Sequence, residues 1–374
     1  MGLYDIIGIP FGYLMSIIYS LFGNYAVSII VFTVVTKLLL FPVNYKTQKS
    51  AARMQLLNPK LEKLRKSYSS NPERLQQEQQ KLYQEEGINP MASCMPALIQ
   101  MILLFGVIDV VYKPITHILR ISKSVISAAV GVASGLADKP FNTSNLRCEL
   151  LTMEQLDKNP DAFSDIAENF RDVVADFSSK FTLFGANLGK TPEFHPDTWN
   201  RESIILFIIP FAAGIAQLLS SVYSQMHQKK TNPNMQNMGC MSAMMYLMPL
   251  WSVWLAFTLP AGIGFYWIWS SLFSFLITFG LNLYFTPERT AVINEKEKQK
   301  MKEYAEKHPD KKSFMQRLME QQAELQQQAD SNANNGEKIS RSESNKQNRD
   351  RIAEARKRMA EKYGDEYNEN DNDD

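Results

Sequence analysis

The stretch Tyr19-Ser20-Leu21-Phe22-Gly23-Asn24-Tyr25-Ala26-Val27-Ser28-Ile29-Ile30-Val31-Phe32-Thr33-Val34-Val35-Thr36-Lys37-Leu38-Leu39-Leu40-Phe41-Pro42 decides how the chain is read. Its apolar run is long enough to cross a bilayer, which needs about 20 mostly apolar residues. Yet it carries a cation, Lys37, near its end. A lysine inside a span costs roughly 2.5–3.5 kcal/mol on insertion scales, so it marks a functional site by default. The bland alternative is a lysine that snorkels to the headgroups.

Four further segments have the same character. Together with 19–42 they give five spans: 19–42, 91–112, 202–226, 241–259 and 261–285. The slightly negative mean hydropathy hides them, because apolar and polar residues fall in separate blocks. The last two spans meet at Leu259-Pro260-Ala261-Gly262, a helix-breaking sequence that makes a tight membrane hairpin. The N-terminal segment 1–18 lacks the basic start of a secretory signal and reads as an amphipathic helix in the outer interface. Pro10 and Gly12 argue for a break between it and the first span.

Charge sets the orientation. Nine cations fall in 45–88, and Lys229 with Lys230 fall in 227–240. The positive-inside rule puts both segments in the cytoplasm. The N-terminus is then outside, the C-terminus inside, and the long segment 113–201 outside. Within 45–88, Gln48 to Ser67 and Arg74 to Glu86 read as two helices around the turn Ser69-Ser70-Asn71-Pro72. This is a charged helical hairpin, either a solvated topology-fixing loop or a working surface. Segment 113–201 is too long for a connector. It shows helical patterning over Ser122 to Ala137 and Glu149 to Phe181, as expected of a helical cap or membrane-surface element. The tail 286–374 reads as a charged helix and then a disordered stretch. A short basic run in it, Arg349 to Arg358, could meet RNA or anionic lipid, or simply be solvated.

Conventional catalysis finds little support. Three cysteines, Cys94, Cys148 and Cys240, make no metal or disulfide pattern, and the four histidines are scattered. No paired carboxylates, Ser-His-Asp set or phosphate-binding loop stands out, so neither an enzyme nor a cofactor is expected. What stands out is polar residues within spans. Thr33, Thr36 and Lys37 lie in the first, Gln100 in the second, and Gln217 with Ser220 and Ser221 in the third. They either line a hydrated pocket holding Lys37 or glue helices together by hydrogen bonds. Methionines at 235, 238, 241, 244, 245 and 248 recur at helical spacing. They suit an adaptable apolar surface, or ordinary lipid-facing packing. A pocket closed on one side with one cation would guide a mostly apolar segment bearing acidic or polar residues. The rival is a secondary transporter or channel with Lys37 as its ion or substrate contact. It lacks the internal repeat expected of that class.

Several motifs occur in order: Phe22-Gly23-Asn24-Tyr25, Thr33-Val34-Val35-Thr36-Lys37, Met54-Gln55-Leu56-Leu57-Asn58-Pro59-Lys60-Leu61, Leu82-Tyr83-Gln84-Glu85-Glu86-Gly87-Ile88-Asn89-Pro90, Cys94-Met95-Pro96, and Leu259-Pro260-Ala261-Gly262 with Phe265-Tyr266-Trp267. In order and spacing the set resembles YidC-type membrane protein insertases, in their Gram-positive-like form. The resemblance implies an all-α integral membrane protein with five transmembrane helices, a cytoplasmic helical hairpin and a cytosol-facing hydrophilic groove. It implies a multi-pass protein of the bacterial cytoplasmic membrane that inserts and chaperones nascent membrane proteins. The partners it implies are the ribosome, the Sec translocon and membrane lipids. The family's groove cation, usually arginine, falls on Lys37, and groove-lining positions fall on Gln217 and Trp267. The chain departs from the pattern in that lysine, in the longer segment 113–201, and in a tail that is close to neutral.

Overall fold

The computed structural model describes residues 3–88, 95–231 and 239–307. Almost every element is a helix. The first ones are α1 (Leu3–Phe22), α2 (Tyr25–Leu39), α3 (Phe41–Leu56), α4 (Asn58–Ser67) and α5 (Pro72–Glu86). Next come α6 (Met95–Tyr112), α7 (Pro114–His117), α8 (Lys123–Leu136), α9 (Cys148–Lys158) and α10 (Phe170–Lys180). A two-stranded antiparallel hairpin follows, β1 (Thr182–Leu183) and β2 (Ala186–Asn187). The chain continues as α11 (Arg201–Thr231), α12 (Gly239–Thr258), α13 (Ala261–Tyr284) and α14 (Pro287–Lys307).

Residues 1–299 form one compact unit. The second unit, from Lys300 on, is described only as the last turns of α14. The expected basic run 349–358 and loop 232–238 lie outside the described residues. So do the side chains of the methionine series.

Among the described residues, two helices are apolar and long enough to cross a bilayer, α11 over Arg201–His227 and α13. A third crossing is available if α2 and α3, bent by 55° at Leu40, count as one span. α6 and α12 fall on the two remaining expected spans. Large apolar side chains face outward on several of these helices: Ile208 and Ile215 on α11, Leu250 and Trp251 on α12, Leu276 and Leu283 on α13. In a protein folded in water such faces would need a cover. A mostly helical chain with apolar outward faces is the architecture of an all-α membrane protein, since in lipid each backbone group must be satisfied within the helix.

Three expected boundaries are corrected. The N-terminal helix runs unbroken through Pro10 and Gly12 to Phe22, so it does not end at residue 18. Its glycine face packs on α6 and α7. A Cβ at Gly12 would stand 2.4 Å from His117 Nδ1, so close packing outweighs the local breaker. The break comes instead at Gly23, whose φ of 60° is the left-handed value glycine tolerates. Asn24 then caps α2, its side chain accepting from Val27 N at 3.1 Å. Second, the helix expected over Gln48 to Ser67 is two helices, parted at Leu57 with Pro59 opening α4. Third, the pattern over Glu149 to Phe181 is interrupted by a 3-10 turn at Pro160–Phe163 and by Asn169 at φ 60°.

The core is continuous from α1, α2 and α6 into the segment 113–201. Phe163, Val174, Phe177 and Phe181 are fully buried, and Tyr25 at the start of α2 stacks on Phe181 with ring centroids 4.0 Å apart. The chain after β2 caps α13. Gly262 N donates to Leu188 O at 2.8 Å and Ala261 N to Lys190 O at 2.9 Å. These bonds satisfy two of the amides a helix start leaves open. A Cβ at Gly262 would lie 3.3 Å from Leu188 O, so glycine permits this approach.

Candidate functional site

Lys37 stands in the last turn of α2 and is 6% exposed. Thr33 and Thr36 are buried beside it on the same helix. Their hydroxyls, however, turn back to their own backbone: Thr33 Oγ1 donates to Ile29 O at 2.7 Å and Thr36 Oγ1 to Phe32 O at 2.8 Å. They make no hydrogen bond to the lysine among those seen.

The lysine's partners come from two other helices. Nζ donates to Gln100 Oε1 on α6 at 3.2 Å and to Ser274 Oγ on α13 at 2.8 Å. Gln100 Nε2 reaches on to Ser270 Oγ at 3.5 Å. Ser270 and Ser274 are four residues apart, hence on one face of α13. Three helices therefore converge on one cation. An ammonium has three donors, and two are used here. Both acceptors are neutral, and no carboxylate pairs with Lys37 among the described residues. In a low-dielectric setting such a charge keeps an outward field that a nearby anion would feel.

Of the residues expected from sequence, Lys37 and Gln100 meet directly. Gln217 is one step removed: its Oε1 accepts from Ser271 Oγ on α13 at 2.9 Å, beside Ser270. Trp267 is partly buried against the main core, a turn from Ser271 on the same helix. Sequence reasoning missed Ser270, Ser271 and Ser274. The available signal was three serines within five residues of an otherwise apolar helix.

A second buried charge lies at the base of the α4–α5 pair. Glu86, 5% exposed, accepts from Lys60 at 2.5 Å and from Lys298 of α14 at 2.6 Å. Asn294 Nδ2 reaches it at 3.5 Å, and Asn294 Oδ1 holds Arg53 Nε at 2.8 Å. Arg53 also donates to the Glu86 carbonyl at 2.9 Å. Burial pushes the Glu86 carboxyl up, but the hydrogen bonds from Lys298 and Lys60 outweigh it and hold it below the usual range. Beneath this hub, Leu57, Leu61 and Ile88 form a small apolar core with Leu82 and Tyr83. α3, α4, α5 and α14 are thus fastened at one point.

A cleft of about 910 Å³ lies away from Lys37. It lies between α9, α10 and the segment leading into α11. No group of three His, Cys, Asp or Glu that could hold a metal occurs among the described residues.

Residues 17–288 match the family model described as 60Kd inner membrane protein. Membrane protein insertase YidC 2 of Listeria innocua is 28% identical over 271 residues, covering 71% of this chain and 67% of that protein. Membrane protein insertase YidC of Granulibacter bethesdensis is 40% identical over 106 residues, covering 28% of this chain and 18% of that protein. The protein of the same name from Brucella suis is 28% identical over 268 residues, covering 71% of this chain and 34% of that protein. The match thus spans about a fifth of the Granulibacter protein's length and a third of the Brucella protein's.

Proposed function

The chain belongs to the 60Kd inner membrane protein family, whose model matches residues 17–288, and from that premise we propose that it is a membrane protein insertase and chaperone. It works in the bacterial cytoplasmic membrane on nascent membrane proteins, through binding and guidance and with no covalent step. It has five spans, the N-terminus outside and the C-terminus inside. α3 to α5 project into the cytoplasm as the client-receiving arm, where the ribosome and the Sec translocon are its partners.

One observation carries this reading: Lys37 is a buried cation held by two neutral oxygens. A transmembrane cation neutralised by a carboxylate would be structural glue. One held by amide and hydroxyl dipoles is stabilised yet still attracts an acid. An acidic or polar client segment entering from the cytoplasm gains transient electrostatic support at Lys37, while its apolar part moves past α11 and α13 into lipid. Gln100, Ser270 and Ser274 keep the ammonium in place, and Gln217 with Ser271 extends the polar lining. Trp267 borders it.

The test is insertion of a small single-span client into liposomes that contain this protein alone, scored by protease protection. Wild type and Lys37→Arg should insert a client with an acidic translocated tail, and Lys37→Ala should not. Equal insertion by all three would leave Lys37 a snorkelling lysine and reject the electrostatic mechanism. Release of small solutes without client insertion would replace the insertase by a channel.

A further inference from the structure

The turn between β1 and β2 is made by Phe184 and Gly185, both with positive φ, 51° and 91°. Two such residues between paired strands follow the pattern of a type I′ turn, whose first place favours Asn, Asp or Gly. A phenylalanine there is strained, because its Cβ crowds the backbone in the left-handed region. Such strain persists where something outweighs it. Packing within the chain does not: Phe184 is 74% exposed, and a Cβ at Gly185 would meet nothing within 4 Å.

The base of the hairpin fixes where this turn stands. Phe181, just before β1, stacks on Tyr25 at the start of α2. Asn187 N in β2 donates to Glu202 Oε1 in the first turn of α11 at 3.1 Å. Leu188 O accepts from Gly262 N at the start of α13. The hairpin is thus held at the starts of α2, α11 and α13, where membrane-crossing helices leave the hydrocarbon. Three residues reach at most about 10 Å, so Phe184 stays within about that distance of Phe181. The headgroup layer on each side of a bilayer is of similar depth, about 5–8 Å.

We infer that the Phe184 ring dips into the boundary between lipid headgroups and acyl chains and ties the segment 113–201 to the bilayer surface. This goes beyond the insertase reading and needs only the spans, whichever leaflet the ring meets. The partner is lipid rather than a charged protein surface, because Thr182 to Gly189 contains no charged residue. The lysines on either side are already engaged, Lys180 with Asp176 at 2.7 Å and Lys190 with Glu202 at 2.8 Å. The contact is therefore apolar and indifferent to headgroup charge. Further along the same segment Phe194 and Trp199 are also exposed. Both rings pack on Phe207 of α11, and Phe194 also on Phe257 of α12. Exposed aromatic rings near the ends of spans belong to the membrane–water boundary. Moving a phenyl ring out of water there is favourable and offsets the strain of the turn.

Two measurements test this on the full chain. In the first, a photo-crosslinking residue replaces Phe184 or, as an exposed polar reference in the same segment, Asp161. The protein is placed in phosphatidylcholine vesicles and its adducts are read by mass spectrometry. Lipid adducts should be about tenfold more abundant at 184 than at 161, and unchanged when phosphatidylglycerol is added. Equal adducts at the two positions, crosslinks from 184 mainly to a second copy of the chain, or adducts that require phosphatidylglycerol would each overturn the proposal. In the second, Phe184→Asn supplies a residue that accepts the left-handed region, so the turn keeps its shape. A phosphatidylcholine with a photoactivatable group near its headgroup should label 182–189 about tenfold less in Phe184→Asn than in wild type, while Phe184→Leu keeps most of the labelling. The thermal midpoint of Phe184→Asn in detergent should be no lower than that of wild type. Undiminished labelling overturns the proposal, and so does a midpoint that falls, which would make the ring a packing residue of the fold.

Discussion

Lys37 and Glu86 are both buried ionisable side chains, about equally shielded from solvent, and they are treated in opposite ways. Glu86 is saturated: two ammonium groups and an amide surround its oxygens. Lys37 has one amide oxygen and one hydroxyl. The first arrangement fixes four helices in place. The second leaves a charge that is held but not neutralised. Two charges of equal depth thus differ in how far their partners neutralise them.

The comparison can be broken most sharply at Glu86. Glu86→Gln strands Lys298 and removes the centre of the hub, which should cost about 3 kcal/mol, as loss of one partner of a buried pair does. The thermal midpoint in detergent should drop, while the preference for acidic over neutral clients stays the same. An unchanged midpoint would mean the hub fastens nothing. Its acid response has a definite sign. The folded pKa lies below the ordinary 4.5, so the stabilisation is complete above that value and is lost as pH falls from 4.5 through the folded value. Amide exchange in α4, α5 and α14 should therefore quicken below pH 4.5 in wild type, and Glu86→Gln should lack that step.

Lys37→Met should give the mirror image. Removing an uncompensated charge from an apolar site leaves the thermal midpoint level or higher. Insertion of a client with an acidic tail should fall about tenfold, equivalent to about 1.4 kcal/mol. A client with a neutral tail should be nearly unaffected. A loss of stability in Lys37→Met would class Lys37 with Glu86 as a fastening. Ser274→Ala is smaller. It leaves Gln100 as the remaining partner seen for Nζ and should cost about 1 kcal/mol, read as a severalfold loss with acidic clients. Ser271→Ala is smallest. It strips one hydrogen bond from Gln217 at the α11–α13 contact, worth about 0.6 kcal/mol, and should leave client charge preference unchanged. A changed preference would bring Gln217 into direct contact with clients.

Much of this was legible in the sequence, for physical reasons. Lys37 and Gln100 are conspicuous because polar side chains within apolar spans have few places to go except toward each other. Ser270 and Ser274 were not, because a serine barely changes the hydropathy of a span and its partner is invisible without the third dimension. In the segment 113–201 the helical patterning over Glu149 to Phe181 does correspond to buried residues, Leu156, Phe163, Phe170, Val174 and Phe177 among them. It does not extend to Val173, which is 43% exposed, because helix phase restarts after Asn169. Pro10 drew the expected helix break away from Gly23, since local propensity ignores what a glycine face can gain by packing. The strands β1 and β2 are two residues each, too short for any alternation to register.

The 55° bend at Leu40 has a mechanical consequence. Lys37 sits one turn before that elbow, and α3 extends from it as an arm of about 24 Å at 1.5 Å per residue. A swing of roughly 5° about the elbow carries the far end of such an arm through about 2 Å, but displaces the hinge itself very little. α3 does not swing freely, however: Ala52 is buried against Leu281 and Phe285, and Lys49 pairs with Glu297 at 2.7 Å. A load on its far end is therefore borne by those contacts, like a bracket fixed to a wall, before it reaches the ammonium.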